Sequence, residues 1–195
     1  MLIRRRRLTR GTLAVTAAVL RDHVVGAVRS AGVSRVCAYV PFGAEPGSQI
    51  LLDALTVGGV DVLLPVLLDD LDLDWAMYEG PWSLVASPRG LAEPAGTRLG
   101  VDAITGAGIV IVPALAVDGV GHRLGRGGGS YDRALARVPP GVPVAALLHD
   151  GEVLADVPVA THDRVVTHVV TPAGGWQPVG SAEPSGKPAQ EPDPT

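Results

Sequence analysis

The stretch that decides the fold is residues 112–137, VPALAVDGVGHRLGRGGGSYDRALAR. Its apolar start predicts a buried strand, its glycine-rich centre predicts a loop, and Ser130 begins a segment that favours a helix. A strand, a glycine loop and a helix in this order are typical of an anion site. Glycines let the backbone approach a phosphate closely, and free amides at the start of a helix favour negative charge.

Charged side chains in this loop suit a nucleotide. Arg123, Arg126 and Arg133 offer forked donors that match phosphate oxygens. Asp132 lies within reach of the same phosphates, where a carboxylate favours a magnesium ion. The loop lacks the Gly-Lys-Ser/Thr ending of a P-loop and the third glycine of a dinucleotide motif. From spacing alone, a phosphate site and a plain tight turn with Asp132 complementing the helix dipole are equally supported.

Apolar runs on either side of this stretch predict the remaining strands of a sheet. They are rich in valine and do not alternate with polar residues, which is typical of strands covered by helices on both faces. The predicted strands are 35–42, 60–68, 108–115, 142–149 and 165–171. Helical spacing predicts helices from residue 13 onward, over 48–57 and over 130–138. The sequence therefore predicts an α/β fold with a parallel or mostly parallel sheet.

The chain of 195 residues, 47% of them hydrophobic, is long enough for one well-cored domain. We expect this domain to comprise residues 1–173. Residues 69–100 lack clear periodicity and contain Trp75 and Trp82, so they form either a binding loop or a cover for the sheet edge. The last part is rich in Gly, Pro, Ser and Glu, which predicts a disordered tail over 174–195.

Charge and cysteine content exclude several classes of protein. The formal net charge of −4 gives no global basic field for nucleic acid, and the arginines among the first ten residues are not interleaved with aromatics. We expect no nucleic-acid partner. The single cysteine, Cys37, lies in an apolar run and predicts a buried, inert thiol in a reducing compartment. The single lysine, Lys187, lies in the predicted tail, so arginine must supply the cationic chemistry.

The N-terminus resembles a signal peptide, because Arg4–Arg7 precede the apolar residues 13–20. However, residues 21–23 are Arg-Asp-His, where a small-residue cleavage site should lie. An apolar face at helical spacing predicts an amphipathic helix instead; its members are Leu13, Ala17, Leu20, Val24 and Val28. No run approaches the ~18 apolar residues that span a bilayer. We expect a cytoplasmic protein without a membrane partner.

The string RLGRGGGSYDR at 123–133 closely resembles the nucleotide loop of the 5-formyltetrahydrofolate cyclo-ligases, also called methenyltetrahydrofolate synthetases. In that family, an Arg-x-Gly-x-Gly-x-Gly-Tyr/Phe-Tyr-Asp string follows a Val-Pro-Gly-Leu-Ala-like strand, which residues 112–116 supply here. Further family segments occur in the right order, and the resemblance covers about Arg5 to Pro172. These segments are Tyr39-Val40-Pro41, Glu45-Pro46, Leu64-Pro65, Glu93-Pro94, Pro158 through His162-Asp163, and Val169 to Thr171.

The resemblance implies a three-layer Rossmann-like α/β domain with a mostly parallel central sheet, similar to that of CoA-transferase-like proteins. It also implies ATP-dependent conversion of 5-formyltetrahydrofolate to 5,10-methenyltetrahydrofolate, with release of ADP and phosphate and with Mg²⁺ as a cofactor. The residues implied to bind ATP are Arg123, Leu124, Gly125, Arg126, Gly127, Gly128, Gly129, Ser130 and Tyr131. Those implied to contact the folate are Val40, Glu45, Arg126, Gly128 and Ser130, and those for magnesium are Asp132 and Asp163.

We assign catalytic roles to two of these residues, with Arg126 as the charge stabiliser and Glu45 as the residue that orients the folate. Glu45 follows a predicted strand end and precedes a helix, where α/β sheets bind ligands. Without the resemblance, Glu45 also fits a solvated loop residue and Asp163 a surface ion pair. Ser130 replaces the family's usual aromatic ring, although serine is also a good helix cap.

The N-terminal segment also departs from the family pattern. The family begins with a Lys-x-x-Leu-Arg turn that touches ATP, and only the later Arg-Arg-x-Leu-Thr part is present here, at 5–9. Either Arg4–Arg7 replace that contact or the true start lies upstream. The alternative function is a catalytically weak or silent folate- or nucleotide-binding paralogue. In either case we expect a monomer or a weak homo-oligomer.

Overall fold

The computed structural model describes residues 1–180. The strands in this part of the chain are β1 Arg35–Cys37, β2 Asp61–Leu67, β3 Leu73–Met77, β4 Leu84–Ala86, β5 Ala92–Pro94, β6 Ile109–Pro113, β7 Ala116–Asp118, β8 Arg123–Leu124, β9 Val144–Leu147, β10 Val153–Leu154, β11 His168–Thr171 and β12 Gly175–Pro178. The α-helices are α1 Leu2–Arg5, α2 Arg10–Ala31, α3 Gln49–Val57 and α4 Ser130–Leu135. Short 3₁₀ helices cover Pro81–Ser83 and Val101–Gly106.

Within residues 1–180 the central sheet has seven strands, in the order β12-β11-β9-β6-β1-β2-β3. The five inner strands are parallel to one another. The two outer strands, β3 and β12, run antiparallel to their neighbours. The five inner strands fall within the five predicted ones, and the predicted mostly parallel sheet is confirmed. Two small sheets, β10-β7-β8 and β4-β5, flank it.

Both faces of the central sheet are buried, which explains the continuous apolar runs. Alternate residues along a strand point to opposite faces. In β6, Ile109 and Ile111 pack in the cluster that contains α2 and α3. Val110 and Val112 pack in the other cluster, with α4 and the 3₁₀ helix at 101–106. The molecule therefore has three layers, helix, sheet and helix, as predicted.

Helix α2 begins and ends where its sequence favours helix boundaries. The side chain of Thr9 caps the start by accepting a hydrogen bond from the amide of Thr12 at 3.1 Å. Gly32 ends the helix with φ of 63°, a left-handed conformation that glycine adopts without strain. By length and composition α2 could cross a membrane. Its buried face, Leu20, Val24 and Val28, packs in the core.

The predictions missed the two outer strands. Residues 69–100 were expected to be irregular, but they contain β3 and the β4-β5 hairpin. In β3, Trp75 is buried at the sheet edge, whereas Trp82 is exposed, so the sheet-edge interpretation fits only the first of these two aromatics. The predicted tail is wrong for residues 175–178, which form β12, and the rest of that prediction, residues 181–195, lies outside the described residues.

Candidate active site

A cavity of about 400 Å³ lies at the carboxyl ends of β1, β2 and β6. The carboxyl ends of parallel strands are where open α/β sheets bind ligands. The glycine loop at 123–132 forms one wall, and the segment from Tyr39 to Glu45 contributes to another. The site residues that the family resemblance implied all line this cavity, from Val40 and Glu45 through residues 123–132 to Asp163. Arg133, which was also predicted to bind phosphate, is not among the lining residues and donates to the carbonyl oxygen of Leu71 instead. The roles assigned to these residues stay predictions.

The conformation of the loop depends on its glycines. Gly127 and Gly129 have φ of 87° and 69°, values that side-chain-bearing residues rarely adopt. Gly129 is the N-cap of α4, and its lack of a side chain leaves the first amides of α4 without a side-chain cap. Ser130 is therefore the first helical residue and not the predicted cap. Helix α4 has only six residues, so exposed backbone amides contribute more to anion binding here than a helix dipole does.

The two catalytic candidates meet at the cavity. The Arg126 Nη2 atom lies 3.0 Å from Oε1 of Glu45. The same guanidinium lies over the ring of Phe42, with 5.8 Å from its central carbon to the ring centroid. The Arg126 side chain is 53% exposed, so its position is not fixed by packing. In contrast, Oε2 of Glu45 accepts a hydrogen bond from the amide of Phe42 at 2.9 Å, which fixes the carboxylate.

Arg123 is buried and has an unused donor. Its Nη2 donates to Oδ1 of Asp132 at 2.9 Å, and its guanidinium lies 5.9 Å from the centroid of the Tyr131 ring. Its Nε–H, however, has no hydrogen-bond partner among residues 1–180. An unsatisfied donor on a buried cation costs free energy. The residue itself lines the cavity beside the glycine loop, where a guanidinium favours an anionic ligand.

The two predicted metal ligands lie on different elements. Oδ1 of Asp132 accepts from Arg123 and also from the amide of Arg164 at 3.1 Å. Oδ2 of Asp163 accepts from the amide of Ala160 at 2.7 Å. In the described chain, no group of three or more His, Cys, Asp or Glu residues could hold a metal. Magnesium commonly takes one or two carboxylates together with substrate phosphates. The donor set fits Mg²⁺ only together with a nucleotide.

The tyrosines beside the cavity are not acid–base groups at neutral pH. Burial raises the pKa of Tyr39 well above its ordinary value, and the negative charge of Glu45 adds to the shift. Burial also raises the pKa of Tyr131, although the charge of Arg123 opposes this. Burial raises the pKa of the Cys37 thiol to about 12, which agrees with the predicted inert cysteine. The site therefore works with fixed charges and hydrogen-bond donors.

The sequence did not single out several residues of the cavity. Phe42 is the only phenylalanine in the chain and lies three residues before Glu45, yet its contact with Arg126 depends on a distant loop. Tyr39 follows β1 and was noted only as part of a family segment. A group of apolar side chains from β2, β3 and the start of β5 also lines the cavity. These side chains are Pro65, Leu67, Leu73, Leu91 and Ala92.

Two of the N-terminal arginines bind other parts of the protein. Arg5 is buried and pairs with Glu152, with Nε and Nη2 at 2.8 and 2.7 Å from its two carboxylate oxygens. Arg4 donates to the backbone carbonyls of Asp150 and Gly151. Neither arginine lines the cavity. The expectation that Arg4–Arg7 replace the missing ATP contact is therefore not supported for these two residues.

Comparison with known proteins identifies the family. Residues 1–172 match the 5-formyltetrahydrofolate cyclo-ligase family. The chain belongs to this family. It is 48% identical to the 5-formyltetrahydrofolate cyclo-ligase of Mycolicibacterium smegmatis over 145 residues, which are 72% of this chain and 74% of the relative. It is 32% identical to the Escherichia coli enzyme of the same name over 149 residues, 73% of this chain and 80% of the relative.

Solved structures share the fold of this family member. The 5,10-methenyltetrahydrofolate synthetase of Aquifex aeolicus superposes with a TM-score of 0.72 at 22% identity, covering 97% of this chain and 93% of that chain. The synthetase of Mycoplasma pneumoniae gives a TM-score of 0.68 at 14% identity, covering 86% and 92%. The predicted three-layer fold is thus confirmed by proteins with little sequence in common with this chain.

Proposed function

We propose that this protein converts 5-formyltetrahydrofolate to 5,10-methenyltetrahydrofolate, with conversion of ATP to ADP and phosphate. The observation that supports this best is the pairing of Arg126 with Glu45 at the cavity that also holds the glycine loop. The cavity thus combines an exposed arginine and a loop of backbone amides with a carboxylate that a hydrogen bond fixes. Membership of the family agrees with the same activity.

The chemistry requires activation of a poor leaving group. The formyl oxygen attacks the terminal phosphoryl group of ATP, which releases ADP and gives an iminophosphate at N5 of the folate. N10 then attacks the formyl carbon, a ring closes and phosphate leaves with the former formyl oxygen. No protein nucleophile is required, so the protein contributes positioning and charge stabilisation. This agrees with an inert Cys37 and with neutral tyrosines.

The arginines and the loop amides have the phosphate-binding role. Arg123 is fixed by Asp132 and lines the cavity beside the glycine loop, where its positive charge would attract phosphate. Arg126 exchanges its contact with Glu45 for the transferring phosphoryl group, since its side chain is exposed and held by one ion pair. The amides of the glycine loop, from Gly125 to Ser130, complete the cradle. The remaining residues predicted for ATP, Leu124 and Tyr131, form the wall behind it.

Glu45 has the folate-orienting role. Once Arg126 moves to phosphate, one carboxylate oxygen of Glu45 is free to accept a hydrogen bond, while the other keeps its bond to the Phe42 amide. Folate N–H groups near N10 are donors of the kind that a carboxylate accepts. The apolar side chains from β2, β3 and β5 suit the flat pterin ring. Val40, Gly128 and Ser130 would border the same ligand.

Asp132 and Asp163 are the residues that would hold magnesium. When bound with the nucleotide, the ion would neutralise phosphate charge during transfer. The Asp132 carboxylate accepts a hydrogen bond from the amide of Arg164, the residue after Asp163, and thereby ties the turn at 160–164 to α4. Both residues line the same cavity. We further propose that the protein acts in the cytoplasm as a monomer or weak homo-oligomer, without nucleic acid.

The deciding experiment mixes the purified protein with 5-formyltetrahydrofolate, ATP and Mg²⁺ and follows the absorbance of the methenyl product. We expect product only when all three are present, with one ADP released for each methenyl group. Omission of ATP and replacement of Mg²⁺ by chelator are the controls. Stoichiometric folate binding without turnover would instead support the alternative, a silent binding paralogue. In that case Ser130→Tyr would test whether the missing aromatic ring is the cause of the lost turnover.

A further inference from the structure

We infer that Tyr39 and His149 are positioning residues that fix Glu45 by holding the backbone on both of its sides. The inference rests on the proposed role of Glu45 in orienting the folate. The Tyr39 hydroxyl donates to the carbonyl oxygen of Pro46 at 2.5 Å. Nε2 of His149 lies 3.0 Å from the carbonyl oxygen of Ala44. Because a carbonyl only accepts, Nε2 is the protonated nitrogen of this histidine.

The segment that contains Glu45 lies beside two cavities. The main cavity lies on one side of Glu45, and a second cavity of about 240 Å³ lies between the segment 40–49 and α2 on the other. Glu45 and Val40 line both cavities. A residue beside a cavity lacks partner atoms on that side, so packing fixes it less tightly there. Hydrogen bonds from the surrounding framework to the neighbouring backbone add to the packing that fixes Glu45.

The two anchors come from the rigid part of the molecule. Tyr39 and His149 are both buried, and they follow β1 and β9 in the central sheet. A buried hydroxyl or imidazole N–H without an acceptor costs about 1–3 kcal/mol, so each is strongly held to its carbonyl. The bonds reach the residues immediately before and after Glu45. A shift of the Glu45 backbone must therefore break at least one of them.

The anchor at His149 is itself supported by a buried carboxylate. Oε2 of Glu152 accepts a hydrogen bond from the backbone amide of His149 at 2.8 Å. The same carboxylate pairs with Arg5 of α1. Contacts thus run from the N-terminal helix through Glu152 and His149 to the carbonyl beside Glu45. This gives Arg5 a supporting role in the geometry of the site, at a distance from the ligands.

The test compares variants that remove one hydrogen bond with variants that keep it. Tyr39→Phe removes only the hydroxyl, and His149→Leu removes the donor, whereas His149→Gln places an amide N–H close to the position of Nε2. We expect the first two to raise KM for 5-formyltetrahydrofolate about ten-fold with KM for ATP unchanged, and His149→Gln to stay within about two-fold of the parent. Tyr78→Phe is the matched control, because that buried hydroxyl donates to Asp53, away from the cavity.

A double-mutant cycle distinguishes an effect of Tyr39 that acts through Glu45 from an effect on the protein that is independent of Glu45. If Tyr39 acts through Glu45, then Tyr39→Phe should change KM by less than about two-fold in a Glu45→Gln background. Full multiplication of the two effects would overturn the inference. An unchanged KM in both Tyr39→Phe and His149→Leu would overturn it as well. Circular dichroism and thermal unfolding of each variant ensure that only folded protein is compared.

A second readout does not require turnover. Amide hydrogen exchange should rise at least about ten-fold in segment 42–47 of Tyr39→Phe and His149→Leu, and should stay at the parent rate in His149→Gln and Tyr78→Phe. Equal exchange in all variants would show that the bonds do not hold the loop. If the parent protein has no cyclo-ligase activity, the proposed function fails, whereas the exchange rates still decide whether these residues position Glu45.

Discussion

The buried ion pair between Arg5 and Glu152 predicts a large loss of stability for Glu152→Gln. The two residues are 3% and 1% exposed. Glu152 accepts two hydrogen bonds from Arg5 and one from the amide of His149, and Nη2 of Arg5 also donates to the carbonyl of Ala114. Glutamine has nearly the same shape but no charge. The substitution therefore leaves the Arg5 guanidinium buried without its counter-charge.

The magnitude follows from the burial of both partners. Removal of one partner from a buried ion pair costs about 3–5 kcal/mol, since the other charge stays desolvated. Glutamine keeps one acceptor oxygen, so we expect a value near the lower end, about 3 kcal/mol. For a chain of this size each kcal/mol lowers Tm by roughly 2–4 °C, which gives a fall of roughly 6–12 °C. The contact with Ala114 O is retained.

Urea denaturation and calorimetry measure this change, and an exposed ion pair between β1 and β2 is the control. Arg35 and Asp61 lie 2.9 Å apart with side chains 42% and 50% exposed. Asp61→Asn should cost less than about 1 kcal/mol, because solvent screens the pair. A loss below 1 kcal/mol for Glu152→Gln would refute the reasoning. Reduced ATP affinity in Arg5→Met, with stability unchanged, would instead show that Arg5 belongs to the nucleotide site.

Further predictions concern the site and the chain end. Asp132→Asn should lower turnover at least about 100-fold at limiting Mg²⁺ with partial rescue at high Mg²⁺, and near-normal turnover would exclude the metal assignment. Arg126→Ala should also depress turnover, and the double variant should lose less than the product of the single losses. Cys37 should resist iodoacetamide in the native protein at pH 8, as checked by mass spectrometry, because a pKa of about 12 leaves almost no thiolate. A chain that ends at Gly174 should melt at a lower temperature than one that ends at Gly180, because only the latter retains β12; equal melting temperatures would contradict this.

The inner strands were predictable from the sequence because burial on both faces leaves a continuous apolar run. The outer strand β12 was not, because an edge strand needs few apolar side chains. β12 reads Gly-Trp-Gln-Pro, and its pairing comes from the backbone of β11 together with contact between Trp176 and His168, whose ring centroids are 5.3 Å apart. By composition alone, residues 175–178 resemble a disordered tail. They form a strand because the neighbouring strand β11 offers an edge with which they can pair.

The predicted strand ends were also too long, for a reason that bears on function. The apolar run at 35–42 forms a strand only over Arg35–Cys37, and the rest leaves the sheet toward the cavity. Tyr39, Val40 and Phe42 are apolar or aromatic because they line the site and cover it, not because they pair in the sheet. Hydrophobicity does not distinguish these two kinds of burial.

Among the charged residues, too, some could be assigned from the sequence and others could not. The glycine loop could be located from sequence because its glycines and charged residues follow one another within residues 123–132. Arg5 could not, since a run of arginines is typical of an exposed, basic surface, and its burial depends on a carboxylate 147 residues away in the chain. The run of N-terminal arginines therefore suggested a contact with ATP, whereas in the structure Arg5 forms a buried ion pair with Glu152. That pair also explains why Arg5 is buried while its neighbours in the run are exposed, since Arg5 bonds to the carboxylate of Glu152. The same carboxylate accepts from the amide of His149, and His149 in turn holds the backbone beside Glu45.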